Sequence, residues 1–165
     1  MKKMTKALFA GSFDPFTNGH LNTVERSALI FDKIVIAVAI NPSKKRFFTV
    51  EEKIDLIEEA TDHLPNVEII SFSESLTVDV AKKIGAEVLI RGVRSVQDYE
   101  YETEIANMNK YIQPEIETFL LVAKPELSYV SSSLIKEVVQ FGGEISEFVP
   151  ANVEKAMKKK LKEIK

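Results

Sequence analysis

Cysteine is absent from the 165 residues, which removes disulfides, thiolate metal sites and cysteine nucleophiles together. That fits a reducing compartment, and any chemistry has to use other groups. Long hydrophobic runs are missing as well. None nears the roughly 18 residues that a membrane span needs, and Met1 to Lys6 is basic without the apolar stretch of a secretion signal. The expectation is a cytoplasmic chain with no membrane partner. Positive charge is not in excess either: a formal charge of −3 gives no broad positive field, so nucleic acid is a poor first partner, although a local cluster of cations can still hold a small phosphate compound. There is no internal repeat, low-complexity tract or linker. A composition that is 45% hydrophobic is ample for one core, and the length suits one compact domain spanning 1–165.

Short apolar runs rich in β-branched residues alternate with segments of helical period, the pattern of βαβ units. Strands are expected at Ala7 to Ala10, Lys33 to Ile40, Val67 to Phe72, Glu87 to Ile90 and Thr118 to Val122. The runs Ile34 to Val38 and Phe119 to Val122 are apolar on both faces, as in strands covered above and below. Helices are expected at Gly19 to Ile30, Val50 to His63 (Thr49 and Glu52 at capping-box spacing), Val78 to Ile84 (closed by Gly85), Val96 to Ile112, Ser131 to Phe141 and Ala151 to Ile164. Tyr101, Ile105, Met108 and Ile112 share one face of the fourth helix. Val153, Met157, Leu161 and Ile164 make the last one amphipathic, with Lys158, Lys159, Lys160, Lys162 and Lys165 as its solvated face. The whole reads as an α/β, doubly wound, Rossmann-like domain: a five-stranded parallel sheet of order 3-2-1-4-5 with helices on both faces. In such sheets ligands bind beyond the carboxyl ends of the strands, so those loops should carry the chemistry.

The first strand runs into Gly11-Ser12-Phe13-Asp14-Pro15-Phe16-Thr17-Asn18-Gly19-His20 and then a helix. A helix start presents free N–H groups and a positive dipole end to an anion, and Gly11 and Gly19 allow close approach. Neither the three-glycine dinucleotide fingerprint nor the Gly-Lys-Ser/Thr P-loop is present. A lone histidine at a helix start is usually a cap. Thr17-Asn18-Gly19-His20 after Gly-Ser-Phe-Asp-Pro, however, resembles the signature of the nucleotidyltransferase superfamily, which points His20 at the anion. His63 reads as a surface residue. After the second strand, Asn41-Pro42-Ser43-Lys44-Lys45 brings cations to the same edge, Lys44 as a phosphate ligand and Lys45 facing solvent. Phe47 and Phe48 either anchor the next helix or cover an apolar part of a ligand.

The fourth strand delivers Arg91-Gly92-Val93-Arg94. Guanidinium is a planar fork for phosphate, and Gly92 removes a side chain from the approach. The competing use is ion pairing with Asp98, Glu100, Glu102 or Glu104, and Glu102 is open between that and a ribose or base contact. Beyond the fifth strand, Leu127-Ser128-Tyr129-Val130-Ser131-Ser132-Ser133 opens a helix. One serine suffices for a cap, which leaves hydroxyls for a phosphate tail.

These candidates are donors and cations, with no obvious strong base or nucleophile, which disfavours a hydrolase. A phosphate monoester needs neither, because its second pKa of about 6 makes it largely a dianion at neutral pH. Its attack on the α-phosphorus of ATP requires chiefly positioning and charge stabilisation. His20 would donate to the α-phosphate, Arg91 and Lys44 would hold the acceptor, and Arg94 with the serine turn would hold the departing pyrophosphate. Mg²⁺ would be bound mainly by the phosphates, no residue being singled out as its ligand.

The ordered set of Gly-Ser-Phe-Asp-Pro, Thr-Asn-Gly-His, Pro-Ser-Lys-Lys, Leu-Ile-Arg-Gly-Val-Arg, Asp-Tyr-Glu-Tyr-Glu and Val-Ser-Ser-Ser-Leu-Ile-Lys-Glu resembles the bacterial phosphopantetheine adenylyltransferases, from about Lys6 to the final helix. The resemblance implies reversible adenylyl transfer from ATP to 4'-phosphopantetheine, giving dephospho-coenzyme A and pyrophosphate. It also implies that Ser12 touches both substrates, His20 stabilises the transition state, and Lys44, Thr77 (through its backbone) and Arg91 bind the acceptor. Phe13, Gly92, Val93, Arg94, Glu102 and Leu127 to Ser133 would enclose ATP. Position 12 is Ser where many members carry Thr, which keeps the hydroxyl. A homohexamer and feedback inhibition by coenzyme A are family properties. Related readings are an adenylyltransferase for nicotinamide or nicotinate mononucleotide, a cytidylyltransferase, and a non-catalytic ATP-binding sensor. The acceptor-side motifs and the retained His20 and Lys44 favour the phosphopantetheine enzyme.

Overall fold

The computed structural model describes residues 4–164. Strands β1 (Lys6–Gly11), β2 (Lys33–Ile40), β3 (Val67–Ser73), β4 (Val88–Val93) and β5 (Glu117–Val122) form one sheet in the order β3-β2-β1-β4-β5. Every neighbouring pair is parallel. Between and after them lie helices α1 (Asn18–Ala28), α2 (Val50–Ala60), α3 (Thr77–Ile84), α4 (Val96–Ile112), α5 (Ser132–Gln140) and α6 (Ala151–Ile164). This is the doubly wound order anticipated above.

Alternation along the central strands sorts the core into two layers. Ala7 and Phe9 of β1 join Ile34, Ile36 and Val38 of β2 on the face covered by Val24 of α1 and Ile57 of α2. Leu8 and Ala10 join Val35 and Ala37 on the other face, beneath Val78, Val80 and Ala81 of α3. A third cluster lies beside the sheet, where Ile135 and Val139 of α5 meet Val153 and Met157 of α6 around Phe48. Phe48 is thus an anchor and not a ligand cover, and Phe47 packs against the same cluster. Gly85 closes α3 at φ 71°, a left-handed position that suits glycine.

Some boundaries differ from expectation for identifiable reasons. β4 continues past Ile90, because Arg91, Gly92 and Val93 pair with Leu120, Leu121 and Val122 of β5. Arg91 therefore stands on a strand and not on a loop. Helix α2 stops at Ala60, where Thr61 turns its hydroxyl onto the Ile57 carbonyl at 2.7 Å. His63 lies beyond the helix, on the surface, paired with Glu25. The capping box of Thr49 and Glu52 is formed. On α6, Lys160 is not simply solvated: it pairs with Glu52 and lies 5.2 Å from the centre of the Phe48 ring. Met1 to Lys3 and Lys165 lie outside the described residues.

Candidate active site

The reversal of strand order falls between β1 and β4, and the carboxyl ends of those two strands open into a cavity of about 400 Å³. Its walls include Gly11, Ser12, Phe13, His20, Arg91, Gly92, Arg94, Glu102, Leu127, Val130, Ser131 and Ser132.

His20 is the third residue of α1. Thr17 caps the helix: its hydroxyl accepts the His20 backbone N–H at 3.3 Å, and its own backbone N–H donates to His20 Nδ1 at 3.0 Å. Because Nδ1 accepts that bond, the ring proton resides on Nε2. The ring stacks on Phe16 with centroids 5.6 Å apart and meets Phe13 edge-on at 5.0 Å. Burial in this aromatic setting, assisted by the positive charge of Arg94, lowers the histidine pKa from 6.5 to about 4. At neutral pH the cavity wall therefore carries a neutral imidazole with one N–H to give.

The two arginines reach the cavity already paired. Arg91 donates from Nε to Glu102 Oε2 at 2.7 Å and from Nη2 to Oε1 at 2.8 Å, a fork-to-fork contact, and from Nη1 to the Ala10 carbonyl at 3.3 Å. Glu102 is only 7% exposed. Arg94 donates to Asp98 at 3.0 Å and to the Val130 carbonyl at 2.9 Å. Partial burial raises the Asp98 pKa, but the hydrogen bonds from Arg94 outweigh it and leave the carboxyl below its usual range. Glu102 holds the Arg91 guanidinium by a bidentate contact, and Asp98 with the Val130 carbonyl holds that of Arg94 by one bond each, which leaves further N–H groups for a ligand anion. The cavity thus offers oriented donors with little uncompensated charge.

Comparison with known proteins adds the lineage. Residues 8–138 match the cytidylyltransferase-like family model. A phosphopantetheine adenylyltransferase from Lacticaseibacillus paracasei is 51% identical over 160 residues, covering 96% of both chains, and one from Lacticaseibacillus casei matches equally. The chain belongs to the phosphopantetheine adenylyltransferase family. Among solved structures, a Vibrio parahaemolyticus chain provisionally assigned as a nicotinate-nucleotide adenylyltransferase superposes with a TM-score of 0.72 over 96% of this chain and 95% of that one. At 18% identity this likeness speaks for the fold alone.

Against the residues that the phosphopantetheine adenylyltransferase resemblance implied, the cavity gathers most of those named for ATP. Val93 is buried behind the wall, its carbonyl accepting from Ala123. Ser128 turns back onto the Pro125 carbonyl, Tyr129 packs edge-on against Phe148, and Ser133 is exposed. The serine turn divides its labour: Ser131 caps α5 through Leu134 N–H, whereas the Ser132 hydroxyl donates to the Pro15 carbonyl at 2.8 Å. Lys44 is exposed on the turn after β2, and Thr77 opens α3 after β3; neither lines the cavity, though both lie at its edge of the sheet.

Thr17, Thr23, Asp98 and Tyr101 also line the wall. Thr17 was visible only as a letter of the Thr-Asn-Gly-His motif. Asp98 was legible as an ion-pair partner for the arginines, the use it takes with Arg94, and Tyr101 as part of one face of α4; neither was read as lining a cavity. Asp14 is a further omission. The residue is 6% exposed, and its carboxylate accepts the backbone N–H groups of Phe47 at 2.8 Å and Phe48 at 2.9 Å.

Proposed function

We propose that the protein transfers the adenylyl group of ATP to 4'-phosphopantetheine, releasing pyrophosphate and dephospho-coenzyme A, by direct in-line attack without a covalent enzyme intermediate. The observation that carries this reading is the fixed tautomer of His20: a neutral ring in the cavity wall, its Nδ1 occupied, offers an N–H donor and no base. Such a group suits negative charge developing on an α-phosphate and does not suit activation of water. The names of the 51% identical relatives supply the acceptor.

In this scheme the attacking oxygen belongs to the acceptor phosphate, already a dianion, so the enzyme removes no proton. Arg91, held by Glu102, and Lys44, on the turn after β2, hold that phosphate, with the Thr77 backbone at the far end of the acceptor. Ser12 bridges the substrates. Arg94, the Gly92 backbone, Phe13 and the Leu127 to Ser133 turn hold ATP and the departing pyrophosphate. Among the described residues no three His, Cys, Asp or Glu gather as a metal cage, and the cavity carboxylates Glu102 and Asp98 are engaged by arginines. The donor set therefore fits Mg²⁺ carried on the ATP phosphates, where it offsets their charge.

We infer further that 1–165 works as one nucleotidyltransferase domain in the cytoplasm, that copies assemble as a homohexamer, and that coenzyme A acts as a feedback inhibitor. The family resemblance supports these points. Self-association has additional support from apolar surface on α4, where Tyr101, Met108 and Tyr111 are 61%, 60% and 85% exposed. A chain that sediments as a monomer at micromolar concentration would sink the hexamer.

The reaction is tested by pyrophosphate release from MgATP with 4'-phosphopantetheine, with nicotinamide and nicotinate mononucleotide in parallel and product masses recorded. Dephospho-coenzyme A formed only in the first tube is the expected result. Activity only with a mononucleotide moves the acceptor, and ATP binding without turnover in any tube makes the protein a sensor.

A further inference from the structure

Outside the cavity wall, a buried ionic junction lies where three loops meet. Asp14 sits between Ser12-Phe13 and the cap of α1. Each of its oxygens accepts one backbone N–H, Phe47 on Oδ2 and Phe48 on Oδ1. Those two residues end the loop that follows β2 and carries Lys44. On the same carboxylate, Lys136 of α5 stands 3.7 Å from Oδ2. One turn earlier in α5, Ser132 bonds the carbonyl of Pro15, the residue after Asp14. Lys53 of α2, only 3% exposed, lies within electrostatic reach of Asp14, whose negative charge opposes the loss of proton affinity that burial imposes on the lysine.

We propose that Asp14 is a positioning residue that sets the Lys44 loop in register with His20, a role that rests on the reaction proposed above. The stereochemistry explains why the position is a carboxylate. Two N–H groups converge from one strand of chain, and only a side chain with two acceptor oxygens satisfies both. Asn would serve one and set its own N–H₂ against the other. Two ammonium groups, Lys53 and Lys136, compensate the buried charge. Among the described residues Lys44 has no comparable tether: its backbone N–H bonds the Asn41 carbonyl at 3.3 Å, within the turn itself, and its side chain is exposed. The register of that cation against the histidine is therefore transmitted through Asp14, from residues 12–20 to residues 44–48.

The test compares Asp14→Asn, Lys44→Ala and the double variant in the pyrophosphate assay, and adds trypsin digestion of the unliganded proteins with mass spectrometry at Lys44, Lys45 and Arg46. Asp14→Asn should raise the KM for 4'-phosphopantetheine by about ten- to a hundredfold, the usual weight of charge-assisted hydrogen bonds, and move the KM for ATP far less. The Lys44→Ala penalty should largely vanish in the Asp14→Asn background, since residues acting through one another are non-additive. Cleavage after Lys44, Lys45 and Arg46 should quicken. Lys53→Met added to Asp14→Asn removes the orphaned buried charge, so it should restore thermal stability without restoring the acceptor KM.

Additive penalties, an equal loss for both substrates, or a KM that recovers together with stability would each overturn the assignment and reduce Asp14 to a staple. A wild-type protein silent with 4'-phosphopantetheine would overturn the proposed function instead. The digestion arm still decides Asp14 in that case, and unchanged cleavage at the Lys44 loop would refute it.

Discussion

At the scale of single residues, the chemistry turns on which atoms are already occupied. His20 Nδ1 is taken by the Thr17 backbone, and the pKa of about 4 keeps the ring uncharged at physiological pH. His20→Ala should lower kcat by a factor of about 10²–10³, the usual effect of removing one transition-state donor, while ATP still binds in a titration. The pH dependence should belong to the substrate. With His20 neutral from about pH 5 upward, kcat/KM for the acceptor should fall as pH drops through about 6, where the acceptor phosphate gains its second proton. The His20→Ala enzyme should trace the same profile at a lower level, and a profile lost with the histidine would make it a proton carrier. Gly92 gives a different kind of prediction. A Cβ there would sit 3.8 Å from Thr23 Oγ1, an ordinary contact on the cavity wall. Gly92→Ala should leave the melting temperature within a degree or two by the small scale of unstrained substitutions, yet raise the KM for ATP.

At the scale of elements, β4 shows what sequence could and could not supply. The apolar runs of β1 and β2 were legible because burial on both faces leaves a continuous signature. Arg91 and Gly92 interrupt that signature in β4, and only pairing with β5 extends the strand through them. The consequence is positional, since a strand holds Arg91 more rigidly than a loop would. Glu102, from α4, completes the placement. Glu102→Gln should cost about 2 kcal/mol in chemical denaturation, the scale of a charged hydrogen bond, and raise the acceptor KM. An unchanged KM would show that Arg91 needs no partner to find its place. The His20 motif was legible because its spacing is local. Asp14 was not, because its partners are backbone groups 33 and 34 residues away, reached only once the sheet is assembled.

For the whole molecule, the half-buried histidine links stability to pH. The folded pKa lies below the unfolded value of 6.5, so between about 6.5 and 4 the unfolded chain takes up a proton that the native state does not. That contribution destabilises the fold progressively as pH falls through this window and is absent above it. Urea midpoints measured from pH 7 to pH 4.5 should decline more steeply for the wild type than for His20→Gln, and parallel curves would remove His20 as the cause. The switch point of the sheet places the cavity at one rim. Chain folds around that rim from β1, β4 and the serine turn before α5, and no helix among the described residues is long and apolar enough to cross a membrane.

The capped imidazole of His20 also bears on direction. A group that lends a hydrogen bond and keeps its proton is the same after the event as before it. On the proposed reaction the protein finishes a forward turnover with no residue to recharge, reprotonate or hydrolyse. The state that releases dephospho-coenzyme A and pyrophosphate is the one that would accept them, so the concentrations of the four small molecules, and nothing stored in the protein, decide which way the traffic runs.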